Sequence, residues 1–178
     1  MSDRSAQKRR TTDRNDNLKK ARVNADRIRQ GLPPQGLHVL IHLNIGCNAH
    51  CIMCALRQDY TPGARSCFPD LRKTLSYLSW PSVARVTLIG GEPFLEAGEL
   101  LKTVALCRKK NFDMEIFTNG CFLRPRILRK LDALQKVCLV ISLHDLGEGH
   151  DRITGVPGHF EAIRRGLVLM RDTYRNIR

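Results

Sequence analysis

The chain lacks any long apolar run. No stretch approaches the roughly 18 residues that a membrane-spanning helix needs. Its charged N-terminus has no apolar segment behind it, which argues against a cleaved secretory signal. Aromatic residues make up only 6% of the 178 positions, and residues 1–36 contain none. That segment therefore offers no platform for stacking nucleobases. Also missing is the second C-x2-C or H-x-H pair that zinc modules bring at a distance from the first. Acidic residues are outnumbered, with 17 Asp and Glu against 30 Lys and Arg and a net charge of +13.

The excess of base is concentrated at the start. Residues 1–36 carry ten Lys and Arg against four Asp. A basic balance suits acidic partners such as nucleic acid, anionic lipid or an acidic peptide, and it equally suits a solvated extension. Residues 1–35 read as an extension with a polar first part. A weak amphipathic helix is predicted over 16–30 (Leu18, Ala21, Val23, Ala25, Ile28), ended by Gly31 and Pro33-Pro34.

Seven cysteines is an odd number. Without a secretory signal, this count points to a reducing, cytoplasmic compartment and to metal binding rather than disulfides. Three of them form C-x3-C-x2-C in G-C-N-A-H-C-I-M-C: Cys47, Cys51 and Cys54. Thiolates are soft ligands that select iron–sulfur clusters or zinc. A [4Fe–4S] cube normally takes four cysteines, so three would leave one iron open to a substrate or cofactor. The competing reading of the same residues is a zinc site with His50 as fourth ligand. Cys67, Cys107, Cys121 and Cys138 are scattered singly.

From residue 36 to 178 the pattern is that of one α/β domain, long enough to bury a core. Strands are predicted at Leu37–Ile45, Val83–Ile89, Met114–Thr118 and Val137–Leu143, as short apolar runs of the kind buried on both faces of a parallel sheet. Helices are predicted at about 68–79, 97–110, 124–135 and 159–174. Strand–helix repeated four times implies a parallel sheet with right-handed crossovers. Residues 46–66 form a long loop holding the cysteines, at the C-terminal end of the first strand where α/β folds place ligands.

Three further segments follow strand ends: Gly90-Gly91-Glu92-Pro93, Thr118-Asn119-Gly120 and Ser142-Leu143-His144-Asp145. With the cysteine triplet, in this order, the chain from about Leu37 to Met170 resembles the radical SAM superfamily. The resemblance implies a partial parallel (β/α) barrel of radical SAM type, a [4Fe–4S] cluster on Cys47, Cys51 and Cys54, and S-adenosyl-L-methionine on the open iron. An external low-potential electron donor would drive reductive cleavage to a 5′-deoxyadenosyl radical, which abstracts hydrogen from a substrate. Only four βα units are present where the family barrel has six, so the expectation is an N-terminal fragment of a longer enzyme, with an exposed apolar edge after the fourth strand. Peptide or protein is the favoured substrate, because GGEP, TNG and the His150–Phe160 stretch look closest to members with an extra cysteine-rich C-terminal domain. Nucleic acid is the second choice, and no membrane is expected.

The same resemblance assigns cofactor roles to Met53, Gly90, Gly91, Glu92, Thr118, Asn119, Ser142 and Arg152. Met53 would cover the adenine, where relatives often have an aromatic. Gly90, Gly91 and Glu92 would receive the methionine ammonium, Thr118 and Asn119 would reach ribose or substrate, Ser142 would bond ribose or carboxylate, and Arg152 would clamp a carboxylate. Bland readings stand beside these: a strand-to-helix turn for GGEP, a simple turn for TNG, a solvated arginine for Arg152. His144 stands where relatives often have aspartate, one place before Asp145. No catalytic acid, base or nucleophile is assigned. The alternatives at this stage are a non-catalytic iron–sulfur or zinc module, and a nucleic-acid-binding protein led by its basic arm.

Overall fold

Four strands, β1 (Leu37–His42), β2 (Val83–Ile89), β3 (Asp113–Thr118) and β4 (Val137–Ile141), form one sheet in sequential order, every neighbouring pair parallel. The computed structural model describes residues 16, 18–55, 72, 73, 75, 76 and 82–177. The helix predicted over 68–79 falls mostly outside these residues; 72, 73, 75 and 76 are helical. Cys67 and the end of the cysteine loop also lie outside the described residues. Residues 18–29 are helical as expected, and Gly31, at φ 71°, lets Leu32 N–H reach back to the Arg27 carbonyl at 2.8 Å. This left-handed glycine cap ends the helix.

Among the described residues, four further helices accompany the sheet: α1 (Ala97–Lys109), α2 (Pro125–Leu134), α3 (Glu148–Thr154) and α4 (His159–Thr173). Three of them have a clear local reason. Pro125 opens α2 at a position where its missing N–H costs nothing. The Asp151 carboxylate accepts from Gly158 N at 2.6 Å and Phe160 N at 2.8 Å, capping the start of α4. Gly155, in the left-handed region at φ 68°, ends α3.

The core lies on one face of the sheet. Val86, Leu88, Met114, Ile116 and Val137 pack against Leu100, Val104, Cys107, Leu128 and Leu131, all essentially buried. Each such aliphatic side chain contributes about 1.5–3 kcal/mol on burial. Burial raises the Cys107 thiol to about 11, so it sits there as a neutral apolar group.

The opposite face corrects the expectation of strands buried on both sides. It carries Leu40 and Phe117, exposed at 57% and 42%, and the Arg85–Glu115 ion pair at 2.8 Å. His38 and Glu115 both meet the Thr87 hydroxyl, at 2.6 and 3.1 Å. Burial in β1 and β3 alternates residue by residue because, among the described residues, the helices cover only one side. Two strands are also shorter than predicted, β1 stopping at His42 and β4 at Ile141. Beyond β4, Ile177 bridges Val137 in parallel.

Candidate active site

All four strands point their C-terminal ends the same way, so the four loops that follow them meet at one end of the sheet. The first two are stitched together by backbone. Gly91 N–H donates to Asn44 O at 3.0 Å, and Glu92 N–H to Gly46 O at 2.7 Å. Asn44 Nδ2 returns a bond to Glu92 O at 2.9 Å. This approach requires glycine: a Cβ on Gly91 would sit 2.1 Å from the Gly46 carbonyl oxygen.

The Glu92 side chain turns beneath this seam and is fully buried. Its carboxylate accepts from Phe94 N at 3.0 Å, Thr118 Oγ1 at 2.8 Å and Asn119 N at 2.7 Å. Burial pushes this carboxyl above the usual carboxylate range, and the three donors partly oppose that push. One side chain thus ties the turn after β2 to the turn after β3.

Asn119 extends the tie to the cysteine loop. Its Nδ2 donates to Asn48 Oδ1 at 2.8 Å and lies 3.6 Å from Cys47 Sγ. Its Oδ1 accepts from Cys121 N at 3.0 Å, and its backbone carbonyl accepts from His159 Nε2 at 2.9 Å. The His159 ring therefore carries its proton on Nε2. Its Nδ1 then accepts from the Thr154 hydroxyl at 3.0 Å. Burial, first of all, holds His159 and the adjacent His150 below the ordinary histidine range. The His150 and His159 ring centroids are 4.7 Å apart.

From the far side, α3 holds the cysteine loop. His50 N–H donates to Thr154 O at 2.8 Å and Ile52 N–H to Ile153 O at 3.0 Å. Within the loop, Cys54 N–H closes onto Cys51 O at 3.1 Å. Cys47 and Cys51 are partly buried and Cys54 is exposed. Burial raises the thiols of Cys47 and Cys51 above their ordinary value; for Cys51 the neighbouring Cys54 adds to the rise.

These elements enclose a cleft of about 170 Å³ lined by Cys47, Cys51, Cys54, Gly90, Gly91, Thr118, Asn119 and Ser142, with Ala49, Ile89, Phe117, His144, Thr154 and His159. A larger hollow of about 340 Å³ lies between Arg85, Glu115 and Cys138 and touches none of these groups. Of the residues singled out from sequence, the three cysteines, Gly90, Gly91, Thr118, Asn119 and Ser142 come together. Glu92 lies beneath the cleft rather than on its wall. Met53 is 54% exposed and is not on the wall. Arg152 faces solvent on α3, 3.7 Å from Glu148, and is not on the wall either. Cys121 is partly buried and is not on the wall. Sequence reasoning missed Asn44, Asn48, Thr154 and His159. Thr154 and His159 stand in the His150–Phe160 stretch already marked as family-like, which was the available signal.

The three thiols line one cleft, yet among the described residues no three His, Cys, Asp or Glu side chains converge closely enough to hold a single metal ion. A tetrahedral zinc site needs that convergence. A cube does not, since each cysteine binds a different iron at a corner. Three thiolates around one cleft are a donor set that a cube with one open iron can take.

Comparison with known proteins points the same way. The family model of the radical SAM superfamily matches residues 41–177. The AdoMet-dependent heme synthase of Methanosarcina barkeri is 26% identical over 131 residues, covering 72% of this chain and 37% of that protein. The 7-carboxy-7-deazaguanine synthase of Clostridium acetobutylicum is 34% identical over 93 residues, covering 51% of this chain and 41% of that protein. The chain thus spans a little over a third of the length of these relatives. The crystal structure of Streptococcus suis SuiB bound to S-adenosylmethionine shares the fold, with a TM-score of 0.62 at 20% identity, over 81% of this chain and 34% of that one. SuiB bound to its precursor peptide SuiA matches equally, with a TM-score of 0.62. No helix among the described residues is long and apolar enough to cross a membrane.

Proposed function

The chain belongs to the radical SAM superfamily, and we propose that Cys47, Cys51 and Cys54 hold a [4Fe–4S] cluster beside an S-adenosylmethionine site in the cleft at the strand ends. The observation that carries this reading is the meeting of three thiols with the Gly90-Gly91 turn, Thr118 and Ser142 around one small cleft. When bound, the cluster and cofactor supply a one-electron reductive cleavage and hydrogen abstraction from a substrate.

The protein's own part is to bind and to orient. The N–H groups of Gly91 and Glu92 are taken up by the cysteine loop. What this turn offers a ligand is acceptors, which is what an ammonium, a donor only, requires. Glu92 keeps that turn and the Thr118-Asn119 turn in fixed register. Ser142, on the wall at the end of β4, supplies a hydroxyl to ribose or carboxylate. Met53 and Arg152 lie off the cleft wall, so the wall itself lends no support to the cofactor roles proposed for them.

The partners implied are an external low-potential electron donor and a substrate, in the reducing cytoplasm that keeps the thiols free. A peptide or protein substrate is favoured, and the SuiB complex with its precursor peptide supports that class for this fold. Residues 1–35 stand as a basic arm ahead of the core at 36–178.

The test is anaerobic reconstitution of the 178-residue chain with iron and sulfide. It is followed by dithionite, S-adenosylmethionine and chromatography of the products. Uptake of iron with equal acid-labile sulfide, and release of 5′-deoxyadenosine, are expected. Uptake of zinc in preference, with no labile sulfide retained, would overturn the reading in favour of a plain metal module.

A further inference from the structure

Asn119 has no polar group to spare. Its backbone N–H is bonded to Glu92, its carbonyl to His159, its side-chain oxygen to Cys121 N, and one amide hydrogen to Asn48. The remaining amide hydrogen faces Cys47 Sγ, with Nδ2 at 3.6 Å, an ordinary distance for a hydrogen bond to sulfur. The side chain read from sequence as reaching toward ribose or substrate is committed instead to the first cysteine of the triplet.

We infer that Asn119 is a positioning residue for the ligand sulfur of Cys47, and that its N–H···S hydrogen bond raises the reduction potential of the cluster held there. This rests on the cluster assignment proposed above. The physical reason is charge. Reduction adds one electron, from the external reductant, to a cluster whose thiolates already carry negative charge. No ligand bond breaks and no proton moves. A donor aimed at a ligand sulfur stabilises the reduced, more negative form more than the oxidised one, and hydrogen bonds to cluster sulfurs are among the levers that set such potentials. The donor is held from four directions, so it needs little reorganisation when the charge changes. The distance in sequence between the two partners, 72 residues, shows that the fold brings the donor to the sulfur.

The experiment is a potentiometric titration, followed by electron paramagnetic resonance, of the reconstituted full chain and two variants. Asn119→Ser retains a short acceptor for Cys121 N and cannot reach the sulfur. Asn48→Ala removes the same Asn48–Asn119 bond and leaves the N–H···S contact in place. At a fixed solution potential near the parent midpoint, Asn119→Ser is expected to hold the cluster with a reduced-to-oxidised ratio about tenfold lower, a midpoint about 59 mV more negative for one electron. Asn48→Ala is expected to titrate with the parent. Equal shifts in both variants would mean that loop placement, not the donor, sets the potential, and would overturn the inference. An unchanged midpoint in Asn119→Ser would overturn it too.

If Asn119→Ser assembles no cluster, the parent decides by itself. Grown with nitrogen-15 asparagine, its reduced cluster is expected to show a nitrogen-15 hyperfine coupling and an exchangeable proton coupling. Absence of both overturns the inference. A parent chain that takes up no cluster at all removes the underlying assignment, an outcome separate from a clustered parent with an indifferent Asn119.

Discussion

The carboxylate of Glu92, on the turn after β2, accepts the backbone N–H of Asn119, at the end of β3, at 2.7 Å. Two further donors, Phe94 N and Thr118 Oγ1, complete its shell. Glu92→Ala would leave two buried donors and one part-buried donor without an acceptor, each buried one costing about 1–3 kcal/mol. We expect a loss of about 3–5 kcal/mol in urea unfolding, and weaker S-adenosylmethionine binding in whatever protein folds. Unchanged stability and unchanged cofactor affinity would deny Glu92 both roles.

Gly91 permits the closest backbone approach in the site. A methyl group there would meet Gly46 O at 2.1 Å, Gly46 C at 2.5 Å and Ile45 O at 2.7 Å, all backbone atoms that cannot rotate away. Gly91→Ala is expected to pry the cysteine loop from β2 and to abolish iron uptake. Gly98→Ala, with open space around it, is the matched control and should cost nothing measurable. Iron content after reconstitution separates the two.

The cysteines divide by position. Cys51→Ala is expected to lose cluster assembly, since it removes a proposed ligand from the cleft wall. Cys138→Ala, on β4 far from that cleft, should keep the full iron and sulfide content. A full iron complement in Cys51→Ala would remove that cysteine from the ligand set.

Asp151 gives a pH signature. The N–H groups of Phe160 and Gly158 hold its carboxyl below the usual range. A depressed carboxyl stabilises the fold above its unfolded pKa of about 3.9, and that contribution is lost as pH falls through the lower folded value. Asp151→Ala should therefore lower Tm at pH 7, and the gap to the parent should close as the medium is acidified below pH 4. A gap that persists unchanged at the lowest pH would mean that the charge is not what caps α4.

The strands were legible because each is a short branched-apolar run bounded by glycine or polar residues, and β2 falls on its predicted bounds. The helix α3 was not. Its seven residues, Glu-Gly-His-Asp-Arg-Ile-Thr, include a glycine and have no amphipathic repeat, and it is held by the Gly155 cap and by its bonds to the cysteine loop. The members of the site that carry a motif were legible for the same reason that motifs are: their residue types are few and adjacent. Asn44 and Asn48 were invisible because each is a single polar residue whose partner lies 48 or 71 positions away. Asn119 was legible as a member of the site, but its contact with Cys47 Sγ was not, because that partner lies 72 positions away.

The open iron is read by electron paramagnetic resonance of the anaerobically reconstituted, dithionite-reduced chain, with and without S-adenosylmethionine. A [4Fe–4S]⁺ signal whose g-values change when the cofactor is added is expected, as an iron left open by three cysteines requires. A chain that builds no cluster, or a cluster whose signal is indifferent to the cofactor, would contradict it.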